Sequence, residues 1–280
     1  VSRQLALFFT AAQFLTRLPT PVVRDFDSSS LSQSVRYFPL VGILVGLINV
    51  GVWWVSNRWL PASVSIGIML AASAAVTGAL HEDGFADACD GFGGGSTPDR
   101  VLAIMKDSRI GAYGAIGVFL MLGLKWTALA ALPLTVLPLI VVAAHAMSRW
   151  CSVALIWRLA YVRGDDDAKS KPFAGRLGGA AWILGGLIGV AGFAPLAAAW
   201  ARWSGDAALS AGGAAASGAA ASSGATALGA GAVAAALATL LAGGYFRRRI
   251  GGYTGDCLGA AQQLAELAFL LGGLAAIQRR

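Results

Sequence analysis

Apolar residues run along this chain in long blocks separated by short charged interruptions, too long for strands and too uniform for amphipathic surface helices. A helix that crosses a bilayer needs about 20 mostly apolar residues. Blocks of that kind are predicted at Leu40–Ser56, Pro61–Leu80, Gly111–Leu132, Pro133–Trp157, Leu177–Trp200, Thr226–Phe246 and Leu258–Ile277. The expected fold class is all-α: a polytopic integral membrane helical bundle of about seven spans plus short interfacial helices. Residues 1–280 then form a single membrane domain. Lys125 and Pro133 blur the division between the third and fourth spans, and Leu5–Leu18 is a further short block that either spans or lies on the membrane. Thr97 followed by Pro98 reads as N-cap and first residue of a short amphipathic helix reaching about Ser108. The stretch Ser204–Gly224, containing GGAAASGAAASSG, has no bulk and no apolar period, and is expected to be a flexible extracytoplasmic connection.

Composition strengthens the membrane reading. Hydrophobic residues make up 57% of the chain, charged residues 12%, and the mean hydropathy is +0.68. Soluble domains carry roughly 25% charged residues, so an ordinary soluble fold is excluded, as is disorder. The net charge of +7 comes from basic residues scattered between spans, with no stripe or arm to grip nucleic acid. Their distribution orients the chain instead. Fourteen fall on one side (Arg17, Arg24, Arg36, Arg100, Lys106, Arg109, Arg158, Arg163, Lys169, Lys171, Arg176 and Arg247–Arg249) against four on the other (Arg58, Arg202, Arg279, Arg280). The rich side should be cytoplasmic. Cys89, Cys151 and Cys257 match no disulfide or thiolate-zinc spacing. The first residues lack a small-x-small cleavage site and are read as part of the mature protein.

The acids carry the chemistry. In HEDGFADACDG, a continuous helix puts Asp83, Asp87 and Asp90 at i, i+4 and i+7, within roughly 40° of the first. Stacked carboxylates repel. Either water solvates them at a helix end or a hard divalent cation, of which Mg²⁺ is the one held by one or two carboxylates plus substrate phosphates, compensates them. Asp256, at the start of the last span, is either an N-cap or a distant fourth carboxylate. GFGGGSTP (Gly91–Pro98) is no Walker loop; it is a phosphate-approaching glycine loop or a plain helix end. Lys106 and Arg109, with Asp107 and Ser108 between them, either clamp a polyphosphate or anchor the interface. Arg149 and Lys125 sit inside apolar spans, where an unpaired charge is costly; His145 is one turn from Arg149. Asp165–Asp167, close to Lys169 and Lys171, read as a solvated loop.

FLTRLPTP (14–21), YFPLVGILVG (37–46), HEDGFADACDG (81–91), RVLAIMKDSRIGAYG (100–114), SRW (148–150) and GGYTGDCLGA (251–260), in this order, resemble the signatures of the cobalamin synthase family, adenosylcobinamide-GDP ribazoletransferases. The resemblance implies a Mg²⁺-dependent enzyme of the bacterial inner membrane, multi-pass, with its active site (81–110) on the cytoplasmic side. Its substrates would be adenosylcobinamide-GDP and α-ribazole or its 5′-phosphate, with GMP released; oligomeric state stays open. On this reading Asp83, Asp87, Asp90 and Asp256 are catalytic and metal-binding. His81, Gly91, Lys106, Asp107, Ser108, Arg109 and Arg149 contact substrate. Two rivals remain: a CDP-alcohol type phosphotransferase, whose DGxxAR pattern is missing here, and an ion-coupled transporter, which would want acids near the bilayer midplane.

Overall fold

A computed structural model of the protein describes residues 2–21, 28–162, 178–211 and 214–278. The Asp165–Asp167 loop and Arg24, Arg163, Lys169, Lys171, Arg176, Arg279 and Arg280 fall outside them. The elements are α1 (Arg3–Leu15), α2 (Ser28–Ser34), α3 (Phe38–Ser56), α4 (Ala62–Thr77), α5 (Leu80–Gly94), α6 (Pro98–Met105), α7 (Ala112–Ala131), α8 (Leu137–Arg158), α9 (Gly179–Ala211), α10 (Ala214–Ile250) and α11 (Gly255–Gln278). Among the described residues six helices are long and apolar enough to cross a membrane, or seven if α4 and α5 count as one span bent by 90°. The fold is an all-α polytopic membrane bundle.

α11 is the hub. It packs against α10, α8 and α5, while α3 packs along α8. The most apolar stretch of α8 is 72% buried, whereas that of α9 is 6% buried. α9 therefore lies outermost, attached through Trp182, which stacks on Trp150 at 4.6 Å and whose carbonyl accepts from the Trp150 indole at 3.0 Å. The two larger apolar clusters of the bundle include Val41, Val153, Ile156 and Ala261 in one and Val141, Ala144, Ala265 and Phe269 in the other. Along α8 and α11 the residues between these clusters are polar: Ser148, Arg149, Gln262 and Gln263.

Two expectations change. The second span, expected over Pro61–Leu80, stops at Thr77, and a new helix starts at Leu80. Gly78 (φ +64°) and Ala79 (φ +55°) are both left-handed and turn the chain between α4 and α5. The left-handed form is open to glycine but costs an alanine roughly 1–2 kcal/mol. The second correction concerns Ser204–Gly224, where α9 runs to Ala211 and α10 starts at Ala214, so the described residues of this stretch are helical where an irregular connection is expected from the sequence. Alanine, the strongest helix former, is the commonest residue of that stretch and favours helix without any apolar pattern. The amphipathic helix after Thr97 is present, capped by the Thr97 hydroxyl accepting from the Arg100 amide, and ends at Met105.

Candidate active site

Glycines let the acidic helix touch the last one. A Cβ on Gly84 would lie 3.1 Å from the Asp256 Cα, and one on Gly259 would lie 3.2 Å from the Gly84 Cα. α5 and α11 thus cross backbone against backbone. The crossing brings Asp83 and Asp256 to one cavity of about 340 Å³, also lined by His81, Gly84, Arg149, Ser152, Phe14, Phe38, Ile156 and Leu258. A larger cavity of about 480 Å³ against α9 is lined by apolar side chains such as Trp150, Trp182 and Phe193 and carries no titratable group. The chemistry gathers at the smaller one.

The segment before α11 is built to present Asp256. Gly251 (φ +81°) ends α10, its amide donating to the Arg247 carbonyl at 3.1 Å. Gly252 lies flat against the Ala160 carbonyl, where any side chain would collide. Tyr253 then pairs with the chain after α8, donating to Ala160 and accepting from Val162. Burial, with Tyr161 alongside, raises the Tyr253 phenol above its ordinary pKa. The cap of α11 is Thr254, whose hydroxyl accepts from the Cys257 amide at 3.2 Å. Asp256 is therefore not the N-cap. It stands in the first turn, where the helix dipole favours a carboxylate.

Asp90 does not join this cavity. It is 8% exposed, and its two oxygens accept from the amides of Gly111 (2.7 Å) and Gly114 (2.8 Å) at the start of α7. Two of the amide donors that a helix start leaves without a partner are satisfied in this way. Side chains at positions 111 and 114 would run into that carboxylate, which accounts for the glycines of IGAYG. Asp87 lies half-buried on α5, one turn from Asp83. The row expected from the spacing is real as helix, but its members face different partners.

The glycine run resolves as a helix end. α5 continues through Gly94, and the Arg249 guanidinium donates to the carbonyls of Phe92 (3.3 Å) and Gly95 (2.7 Å). Such a cation suits a helix C-terminus. Gly91, expected at substrate, is packed instead against α6, where a Cβ would meet the Met105 side chain at 2.6 Å. Lys106, Ser108 and Arg109 are exposed on the loop between α6 and α7, outside the cavity. Arg109 pairs with Asp107 at 2.6 Å. The guanidinium hydrogen bonds, with the Arg109 amide, hold the Asp107 carboxyl down to about 2. This lowered value means that the pair contributes fully above the ordinary carboxylate pKa and is lost only as pH falls through about 2.

Arg149 is 2% exposed and lines the cavity. Its guanidinium bonds the His145 carbonyl at 3.0 Å and ring at 3.3 Å, while Nε has no hydrogen-bond partner among the described residues. Behind it lies a buried network. Glu266 pairs with Lys125 at 2.7 Å and with the His145 ring at 3.3 Å, and accepts from Gln262 at 2.7 Å. Lys125 also donates to Gln263, which reaches Glu82 at 3.1 Å. His145 completes the chain to Asn49 at 2.8 Å. Sequence reasoning missed Glu266, Gln262 and Gln263 as partners of the intramembrane cations, and Ser152, Phe14 and Phe38 as cavity walls. One signal was available: an acid in the last span needs a cation in another.

Among the described residues no group of three or more acids, histidines or cysteines is gathered closely enough to hold an ion by itself. Of the four acids expected together, Asp83 and Asp256 line the cavity. Two carboxylates facing a cavity still fit Mg²⁺, which is commonly held by one or two carboxylates together with substrate phosphates and water.

With this geometry in place, comparison with known proteins is decisive. The family model for cobalamin-5-phosphate synthase matches residues 7–275. The chain belongs to that family. Curated relatives share nearly all of its length: a protein from Shewanella frigidimarina is 41% identical over 96% of this chain and 94% of its own. One from Shewanella baltica is 39% identical over 95% of this chain and 92% of its own. Both are named adenosylcobinamide-GDP ribazoletransferase. No solved structure matches the chain. The family match spans both faces of the cavity, α5 and α11, together with the loop between α6 and α7.

Proposed function

We propose that this protein joins α-ribazole, or its 5′-phosphate, to adenosylcobinamide-GDP with release of GMP, using Mg²⁺, at the cytoplasmic face of the bacterial inner membrane. The observation that carries the reading is the Gly84–Gly259 crossing, which sets two carboxylates and a buried arginine around one cavity in a chain whose relatives bear that name. Basic residues support the orientation: Arg158 and Arg247–Arg249 end α8 and α10, and α5 and α11 begin at the same end of the bundle.

In the transfer, a ribose hydroxyl oxygen bonds to the cobinamide-side phosphorus and the bridging phosphorus–oxygen bond breaks. GMP leaves with the bridging oxygen, and the hydroxyl proton passes to a carboxylate of the α5 row. Such a reaction asks the protein for positioning and charge neutralisation. Asp83 and Asp256 supply hard oxygen ligands, with Asp87 one turn further along α5. Mg²⁺, when bound, draws charge from the pyrophosphate oxygens. Lys106 and Arg109 lend positive potential to the departing GMP, while Asp90 fixes the start of α7 and with it their loop. His81 and Arg149 border the reacting groups from within the cavity.

The test is GMP release by the purified full chain in detergent or lipid, with Mg²⁺ varied. Asp83→Asn and Asp256→Asn should each lower turnover by about 10²–10³-fold, the usual cost of removing charge stabilisation from a dry site. Near-normal release by both variants would remove the proposed ion site.

A further inference from the structure

The cavity shared by Asp83 and Asp256 has two chemically distinct halves. Phe14, Leu15, Phe38, Ile156 and Leu258 form an apolar wall, with the Phe14 and Phe38 rings nearly parallel at 5.9 Å between centroids. His81, Asp83, Arg149 and Asp256 form the polar side. Within the polar side the charges are also sorted. Asp83 is exposed at the mouth, whereas Arg149 is almost wholly buried, with its Nε unpartnered among the described residues. A buried guanidinium needs an anion or several acceptors to offset its desolvation; the hydrogen bonds of Arg149 run to the carbonyl and ring of His145, with Glu266 at the same ring nitrogen, and leave Nε facing no protein acceptor among the described residues.

We infer that this cavity is the site of the acceptor nucleotide, with its uncharged aromatic base on the Phe14–Phe38 wall and its phosphate on Arg149. The inference rests on the transferase reading and goes beyond it by dividing the two substrates between places. Size excludes the larger one, since about 340 Å³ lies at the low end of ligand sites, roughly 300–1,000 Å³. That volume holds a nucleotide and not a corrinoid. Chemistry excludes guanine, whose several donors and acceptors would face Phe14, Leu15, Phe38 and Ile156 without partners. A benzimidazole base carries few polar atoms and suits that wall. Arg149 is then the residue that distinguishes the phosphorylated acceptor from the free nucleoside. The corrinoid and its GDP stay outside, where the phosphates meet Asp83 and Asp256 at the mouth.

Two measurements on the full chain in detergent test this. The first titrates α-ribazole, through the fluorescence of its base, with no corrinoid present. Wild-type protein should bind it, and Phe14→Ala should weaken binding about tenfold, in line with a lost aromatic contact. The second compares kcat/KM for α-ribazole 5′-phosphate with that for α-ribazole. Arg149→Gln should lower the ratio at least tenfold, as loss of a charge-assisted hydrogen bond implies, and Arg149→Lys should restore part of it. Equal losses on both acceptors would overturn the phosphate assignment, because a purely structural arginine has no reason to discriminate. Unchanged titration by Phe14→Ala, combined with a raised KM for adenosylcobinamide-GDP, would overturn the base assignment. Wild-type protein that binds α-ribazole yet releases no GMP would instead remove the transferase reading and keep the cavity as the nucleoside site.

Discussion

Asp83 and Asp90 have the same side chain on the same helix, and their surroundings give them different work. Asp83 opens onto the cavity; Asp90 has its oxygens committed to the amides of Gly111 and Gly114. Replacing Asp90 by Asn removes one acceptor oxygen and places an amide group against a backbone donor. The expected cost is about 1–3 kcal/mol of stability, the penalty for an unsatisfied buried group. A lowered melting temperature in detergent would show it, and the Mg²⁺ concentration giving half-maximal GMP release should be unshifted, in contrast to Asp83→Asn. Helical spacing puts Asp83, Asp87 and Asp90 on one helix, and α5 carries all three. It could not separate their roles, because the partners of Asp90 lie 21 and 24 residues further on. Asp256 was equally ambiguous until the Thr254 hydroxyl was seen to take the capping position.

Among the helices, close approach is what matters. α5 and α11 meet where neither presents a side chain, so Gly84→Val should force them apart, at about 1–3 kcal/mol for overpacking, with loss of GMP release. Gly244→Ala is the control: a Cβ there meets nothing within 4 Å, and alanine in a helix interior should stabilise by roughly 0.5–1 kcal/mol. Thermal melts of the two variants should move in opposite directions. The spans themselves were legible because twenty apolar residues in a row admit few interpretations. The turn at Gly78–Ala79 was not, since an alanine in left-handed conformation contradicts its own preference and is held there by the surrounding contacts. The Arg17 amide, for example, donates to the Val76 carbonyl at 2.7 Å, and the Arg17 side chain packs on Gly78. The Ala-rich stretch near α9 and α10 is the opposite case: its sequence has no apolar pattern, and alanine needs none to favour helix.

Across the whole bundle, the layer of polar residues between the two apolar clusters ties α3, α7, α8 and α11 together. Lys125 is 2% exposed and its charge is balanced by Glu266. Lys125→Met leaves that carboxylate with His145 and Gln262 but without its lysine, and should cost about 3–5 kcal/mol. Adding Glu266→Gln should recover much of the loss, a non-additivity measurable by a double-mutant cycle in detergent melts. Composition revealed the solvent in which this protein folds. The pairing across the bundle was invisible, because an ion pair between spans leaves no local pattern.

The same pair has a bearing on how the chain is made. Lys125 lies 141 residues ahead of Glu266, so during synthesis the lysine reaches the bilayer long before its counter-ion exists. Until α11 arrives, that ammonium must rest near water or lodge against temporary neighbours. Closure of this polar layer therefore waits for α11, and a chain cut short of residue 266 would keep the lysine charge without its carboxylate.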